Sequence, residues 1–235
     1  MFQSDFNIRN IANVVHSWMG YLYEVSEVKH LAAESSLRYP IVGLLERKDA
    51  ITNIIMEIGH PCFEQKRVDF YWEDRYTKNY MEMKYIRDSK VDVQKILNDV
   101  FRLSLIDTED AKRYFLVCGT YVDFQKYFQN VSQNESNQNL LKDSGQIVVA
   151  QSGNCIDYIL ERYFSFDKDK NKREVKLDTE NDSYYKQFKE KYDSSCRKGC
   201  VIPNKMTIST ELLQSINKGL KSAVAVWEIE RVWDK

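Results

Sequence analysis

The sequence predicts a mixed α/β fold, and three observations carry that reading. Helical apolar spacing runs through much of the first sixty residues. Two strand-like stretches follow, at 67–72 and 80–86, separated by a polar loop. An amphipathic helical pattern at 92–105 then leads into the apolar run Tyr114-Phe115-Leu116-Val117-Cys118. Strand, helix and second strand in that order form a βαβ crossover, which places the two strands parallel in one sheet.

Each element has its own signal. Val14, Val15, Trp18, Met19 and Leu22 space out as a helix over 13–23. Ser26 reads as the cap of a second helix running toward Tyr39, with Pro40 interrupting or kinking the path. Asp49 reads as the cap of a third helical segment, because Ile51, Ile54, Ile55 and Ile58 follow helical spacing and Gly59 with Pro61 supplies a stop. Phe63 starts a weak strand before the two stronger ones. Asp92 caps the next helix, whose face carries Val93, Ile96, Leu97, Val100 and Phe101. The run 114–118, closed by Gly119, suits a strand buried on both faces.

Beyond it, a short helix is expected at 123–128, a loop at 130–139, a strand at 146–150 and a helix at 155–163. The charged stretch 167–176 is expected to be exposed, and 183–192 to be helical. Strands are expected at 206–209 and 223–229, around a helix at 210–220.

Composition narrows the function classes. With 235 residues and 43% hydrophobic content the chain can bury a substantial core, and Gly 8 with Pro 3 disfavours low complexity. The net charge of −1 supplies no global basic field, so nucleic-acid binding would need a locally positive groove. Five scattered cysteines argue against a disulfide framework. Cys196 and Cys200 form one pair without a second ligand pair, so reduced thiols are expected rather than zinc. No segment has the length of a membrane span and no basic-then-apolar leader opens the chain. A cytoplasmic location without membrane association is the expectation.

The stretch that carries chemistry runs from Asp69 to Lys84. Glu82 and Lys84 share a face of their strand, with Met81, Met83 and Tyr85 on the other. If Arg75 and Tyr76 form the hairpin loop, Asp69 falls opposite Glu82, with Cβ atoms roughly 5 Å apart. Mg²⁺ is often held by one or two carboxylates together with phosphate oxygens. Asp69 and Glu82 would supply those oxygens, and Lys84 would orient or help deprotonate a water and offset charge on a phosphate.

Glu-x-Lys alone carries no weight, since it also occurs at Glu27/Lys29, Glu46/Lys48, Glu64/Lys66 and Glu174/Lys176. Only the Glu82/Lys84 pair lies in an apolar strand, follows a strand bearing an aspartate and precedes a crossover. The competing reading is a half-exposed hairpin with solvated ion pairs, which contribute little.

With its element order of helix, three strands, helix, strand, this stretch resembles the PD-(D/E)XK nuclease superfamily over about residues 26–128. The resemblance implies a restriction endonuclease-like core with Asp69, Glu82 and Lys84 at the active site. It implies Mg²⁺ (or Mn²⁺) as cofactor and nucleic acid, first of all DNA, as partner, in a setting of bacterial restriction or phage defence. Val68 stands where the motif has proline.

The superfamily often adds a glutamate from the first core helix as a further metal ligand. Glu34 is the first choice, with Glu46 and Glu57 as rivals, and the competing reading of Glu34 is a surface pair with Arg38. Asp99 and Arg102 are expected to be solvated or salt-bridged, His60 to pack at a helix end, and Trp72, Trp227 and Trp233 to pack rather than stack on bases. The lysines of 168–191, interleaved with acids, read as a solvated face.

The chain thus reads as one nuclease-like domain over 1–235. Residues 1–25 form an N-terminal helical extension, 130–200 an insertion or elaboration, and 201–235 late strands and a helix. A catalytically inactive binding or scaffold subunit on the same fold is the alternative. A homodimer or a partner subunit stays open.

Overall fold

A computed structural model describes residues 7–25, 33–87, 92–108, 110–120, 122–123, 172–216 and 222–232. Two helices open it, α1 (Arg9–Glu24) and α2 (Glu34–Leu45). Three strands follow, β1 (Ile51–Gly59), β2 (Arg67–Asp74) and β3 (Thr77–Ile86), then α3 (Val93–Ser104) and β4 (Ala111–Thr120). The remainder comprises β5 (Lys172–Asp178), α4 (Ser183–Tyr192), β6 (Lys205–Ile216) and β7 (Ser222–Val232). The fold is mixed α/β, with one seven-stranded sheet in the order β1-β2-β3-β4-β7-β6-β5.

The β3–β4 pair is parallel, as the crossover through α3 requires, and the other pairs are antiparallel. β3 and β4 sit near the centre, and their apolar residues feed cores on both faces. On one face α1 and α2 cover Phe70, Trp72, Met81, Met83, Leu116 and Val226. On the other, α3 and α4 cover Tyr71, Tyr80, Phe115 and Trp227.

α1 buries Ile11, Ala12, Val15, Met19 and Leu22 along one stripe, and each large side chain so buried contributes about 1.5–3 kcal/mol. The side chain of Asp92 caps α3 by accepting from the Gln94 N–H at 3.0 Å. The aromatic residues Tyr185, Phe188 and Tyr192 of α4 pack with Phe63 and Phe101. Trp72 and Trp227 are buried in the cores, as expected of them. No helix among the described residues is long and apolar enough to cross a membrane.

Three expectations are corrected. The isoleucine segment at 51–59 is strand β1, not a helix. Its apolar spacing is helical because Asn53 (φ 53°) and Glu57 (φ 57°) break the period of two, with a register shift between Thr52 and Ile55. The helix expected at 210–220 is strand as far as Ile216, since β6 continues through it. A register shift between Leu212 and Gln214 interrupts alternation there too. Pro40 does not end the second helix: α2 runs through it to Leu45.

Lys172 to Lys176, expected as an exposed charged stretch, lie in edge strand β5 and are mostly exposed. The loop expected at 130–139, the strand at 146–150, the helix at 155–163 and Trp233 lie outside the described residues, as do 26–32 and all but the first residue of 123–128.

Candidate active site at the open end of the β2–β3 ladder

β2 and β3 form a hairpin whose two-residue loop is Arg75-Tyr76, with Arg75 at φ 30°. Their ladder runs from Asp74↔Thr77 to Phe70↔Met81 and stops there. Asp69 and Glu82 lie just beyond that last pair, and their side chains are in hydrogen-bonding contact. Alternation also breaks in β2 at this point, because Val68 joins the α3-side core while Phe70 and Trp72 face the α1–α2 side.

The freed N–H groups of β3 do not go unpaired. The Met83 N–H donates to Asp69 Oδ2 at 2.8 Å, and the Tyr85 N–H donates to Glu34 Oε2 at 3.3 Å. Carboxylates from β2 and α2 thus take the bonds that a longer β2 would have accepted. Where the strand ladder opens, the sequence places acid.

Glu82 and Lys84 point from β3 toward α3. Arg102 Nη2 lies 2.9 Å from Glu82 Oε1 and 2.5 Å from Asp99 Oδ1. Lys84 Nζ lies 2.6 Å from Asp99 Oδ2. On the far side of Asp69, Arg38 Nη2 contacts Oδ1 at 3.3 Å and also pairs with Glu57. Glu82 itself is in hydrogen-bonding contact with Asp69. The cluster therefore gathers five carboxyl groups (Glu34, Glu57, Asp69, Glu82, Asp99) around three cations (Arg38, Lys84, Arg102).

This imbalance, inside a buried site, moves the protons. Burial, followed by the charges of Asp99 and Asp69, raises Glu82 well above the usual carboxylate range, and Arg102 offsets this only in part. Burial also raises Asp69, against the stabilising Met83 N–H and the proton offered by Glu82. Glu34 is raised by burial, against the opposing pull of Lys84. Burial would lower Lys84, but the charges of Asp99, Glu34 and Glu82 reverse that and hold its ammonium above the ordinary range. Lys84 is therefore a fixed positive charge and donor at neutral pH, and Glu82, in hydrogen-bonding contact with Asp69, holds its proton more tightly than an ordinary carboxyl group.

The residues singled out in the sequence have different placements. Asp69, Glu82 and Lys84 converge, and Glu34 joins them through the β3 edge. Glu34 is not the partner of Arg38, which reaches Asp69 and Glu57 instead. Glu46 is exposed at the far end of α2, away from this set. Asp99 and Arg102 are salt-bridged as expected, but buried and joined to Glu82 and Lys84. The signal for them was their position on a strongly amphipathic helix that the βαβ topology lays against β3.

Among the described residues, no group of three or more His, Cys, Asp or Glu side chains is placed to hold a metal ion. The donor chemistry of Asp69 and Glu82, two hard-oxygen groups in contact, nevertheless fits the one or two carboxylates by which Mg²⁺ is usually bound. No family model, curated protein or solved structure matches the chain.

Proposed function

We propose that the chain is a Mg²⁺- or Mn²⁺-dependent phosphodiesterase that cleaves nucleic acid, DNA first, on a restriction endonuclease-like core. One observation carries the reading: Asp69, Glu82, Lys84 and Glu34 meet where the β2–β3 ladder opens. The element order α2, β1, β2, β3, α3, β4 supports it, being the order of that core. So does the energetic character of the site, because surplus buried carboxyl groups cost stability and cluster where function requires them.

Asp69 and Glu82 would hold the ion, with Glu34 as the further acidic residue. When bound, the ion would polarise the scissile phosphate and lower the pKa of a coordinated water. Lys84 would offset the negative charge growing on the phosphate, held in place by Asp99. Arg102 orients Glu82, and Arg38 orients Asp69. Glu82 must release its proton before both carboxylates can act as oxygen donors, so activity should rise with pH as that proton leaves. The resemblance sets such an enzyme in bacterial restriction or phage defence.

The test is cleavage of plasmid, single-stranded DNA and RNA with Mg²⁺ or Mn²⁺. Asp69→Ala and Lys84→Ala should each lower the rate by about 100-fold or more. Circular dichroism should show that both variants stay folded. Glu34→Gln should cost roughly tenfold, as loss of one supporting ligand does. Equal rates in wild type and the first two variants would remove the proposal. Metal binding without cleavage of any substrate would favour the inactive binding or scaffold subunit instead.

A further inference from the structure

A second cluster of reactive groups lies away from the carboxylates, where the β1–β2 connection meets the segment after α4. The two segments are stitched by backbone: the Arg197 N–H donates to the Cys62 carbonyl at 2.9 Å, and the Glu64 N–H to the Ser195 carbonyl at 2.8 Å. Phe63 and Cys196 form a bridge, and Arg197 Nε donates to the carbonyls of His60 at 3.1 Å and Phe63 at 3.3 Å. This seam brings three thiols together. Cys62 is in side-chain hydrogen-bonding contact with Cys200 and close enough to Cys196 to feel its charge. Cys62 is buried, whereas Cys196 and Cys200 are half-buried.

We propose that Cys62 and Cys200 are an oxidisable dithiol that closes to a disulfide, covalently joining the β1–β2 connection to the segment after α4. Cys200 is the partner because its side chain is the thiol in contact with Cys62, which also donates to the Leu105 carbonyl at 2.8 Å, whereas the Cys196 thiol turns to the Tyr192 carbonyl at 3.7 Å. A metal centre is the weaker use of these thiols. His60 Nδ1 accepts from the Cys62 N–H at 3.0 Å and Nε2 faces the Arg102 carbonyl at 3.2 Å, so neither ring nitrogen is available as a ligand.

Glutathione disulfide is the oxidant considered. The Cys200 thiolate attacks one sulfur of glutathione disulfide, forming a mixed disulfide and releasing one glutathione thiolate. Cys62 then passes its proton, through solvent, to a released glutathione thiolate, and its sulfur attacks the Cys200 sulfur and expels the second glutathione thiolate, which takes up the proton that Cys200 lost. Two protein thiols are oxidised and one glutathione disulfide is reduced to two glutathiones. Cys200 attacks first because it is the more accessible. Burial and the neighbouring Cys200 push the Cys62 thiol up to about 12, which keeps it protonated until the mixed disulfide is beside it.

The experiment treats the folded full chain with glutathione disulfide, blocks free thiols under denaturing conditions and digests with trypsin. Cleavage after Arg197 and Lys198 separates Cys196 from Cys200, so a linked pair of peptides 49–66 and 199–205 is diagnostic. That pair should dominate, and the oxidised protein should melt higher by about 4 °C or more, because the bond closes a long loop. Cys200→Ser, at a half-buried position, should abolish both effects even if Cys62→Ser proves unable to fold. No linked pair, a link through Cys196 or Cys155, or a link formed only in urea would overturn the proposal. So would stoichiometric zinc in the purified protein that is lost in Cys200→Ser.

Discussion

On the α3 face of the sheet, Arg102 sits 2.9 Å from Glu82 and 2.5 Å from Asp99, with none of the three side chains more than 12% exposed. On the β5–β6–β7 side, Lys172 sits 2.7 Å from Glu230, with the two side chains 52% and 48% exposed. The distances are alike, so distance cannot rank the two sets. Burial does. In the first set water is excluded, each charge depends on its partner, and a surplus of acid shifts the carboxyl protons. In the second, water and salt already solvate both ends.

The largest expected effect breaks the buried set. Arg102→Met keeps most of the side-chain volume and removes the charge, leaving Glu82 and Asp99 buried with Lys84 as their nearest remaining cation. Stability should fall by about 3 kcal/mol, at the lower end of the range for an orphaned buried charge because Lys84 still holds Asp99. Urea unfolding at neutral pH measures it. A loss below about 1 kcal/mol would put this network in the same class as a surface pair.

A pH titration sharpens the same contrast. His60 is buried, and burial with the charges of Arg102 and Arg197 lowers its pKa to about 3 from 6.5. Its neighbours require the neutral ring, with Nδ1 accepting from Cys62 and Nε2 left to donate to the Arg102 carbonyl. Below pH 6.5 the unfolded chain takes a proton that the native ring refuses, so stability falls as pH drops, until the native ring also protonates near pH 3. The slope from this group approaches about 1.4 kcal/mol per pH unit.

Glu34, Asp69 and Glu82 act in the opposite sense. Their native pKa values are raised, so they favour the folded state on the acid side. Comparing wild type with His60→Gln cancels their contribution. The variant should lose stability less steeply between pH 6.5 and 4, and parallel curves would remove His60 as the cause.

The sequence made the hairpin legible because nothing tertiary was needed to read it. Period-two alternation and a two-residue loop are local, and they set the register as far as Phe70 and Met81, the pair next to Asp69 and Glu82. α1, α3, α4 and β4 were legible for the same reason: each has unbroken periodicity or a plain apolar run. β1 and the second half of β6 were not, because a bulge converts strand alternation into a spacing that a helix would also give. The partners of the site were hidden in another way. Asp99 and Arg102 are an ordinary i, i+3 pair on a helix until α3 is laid against β3, and the Arg38 contacts require Glu57 on a strand that the spacing disguised as a helix.

The smallest expected effect lies at the other end of the sheet. β5 is an edge strand, and Lys172, Arg173, Glu174 and Lys176 give it a charged, mostly exposed sequence. Charge on an edge discourages pairing with another chain, so these residues need not stabilise the fold to be useful there. Lys172→Thr removes the ion pair with Glu230 while keeping a residue suited to a strand. Its unfolding free energy should stay within about 0.5 kcal/mol of wild type, and the small difference should shrink further in high salt. A loss of about 1.5 kcal/mol or more, unaffected by salt, would mean that exposure is not what separates the two sets of ion pairs. The difference would then have to lie in how each pair is tied into its strands.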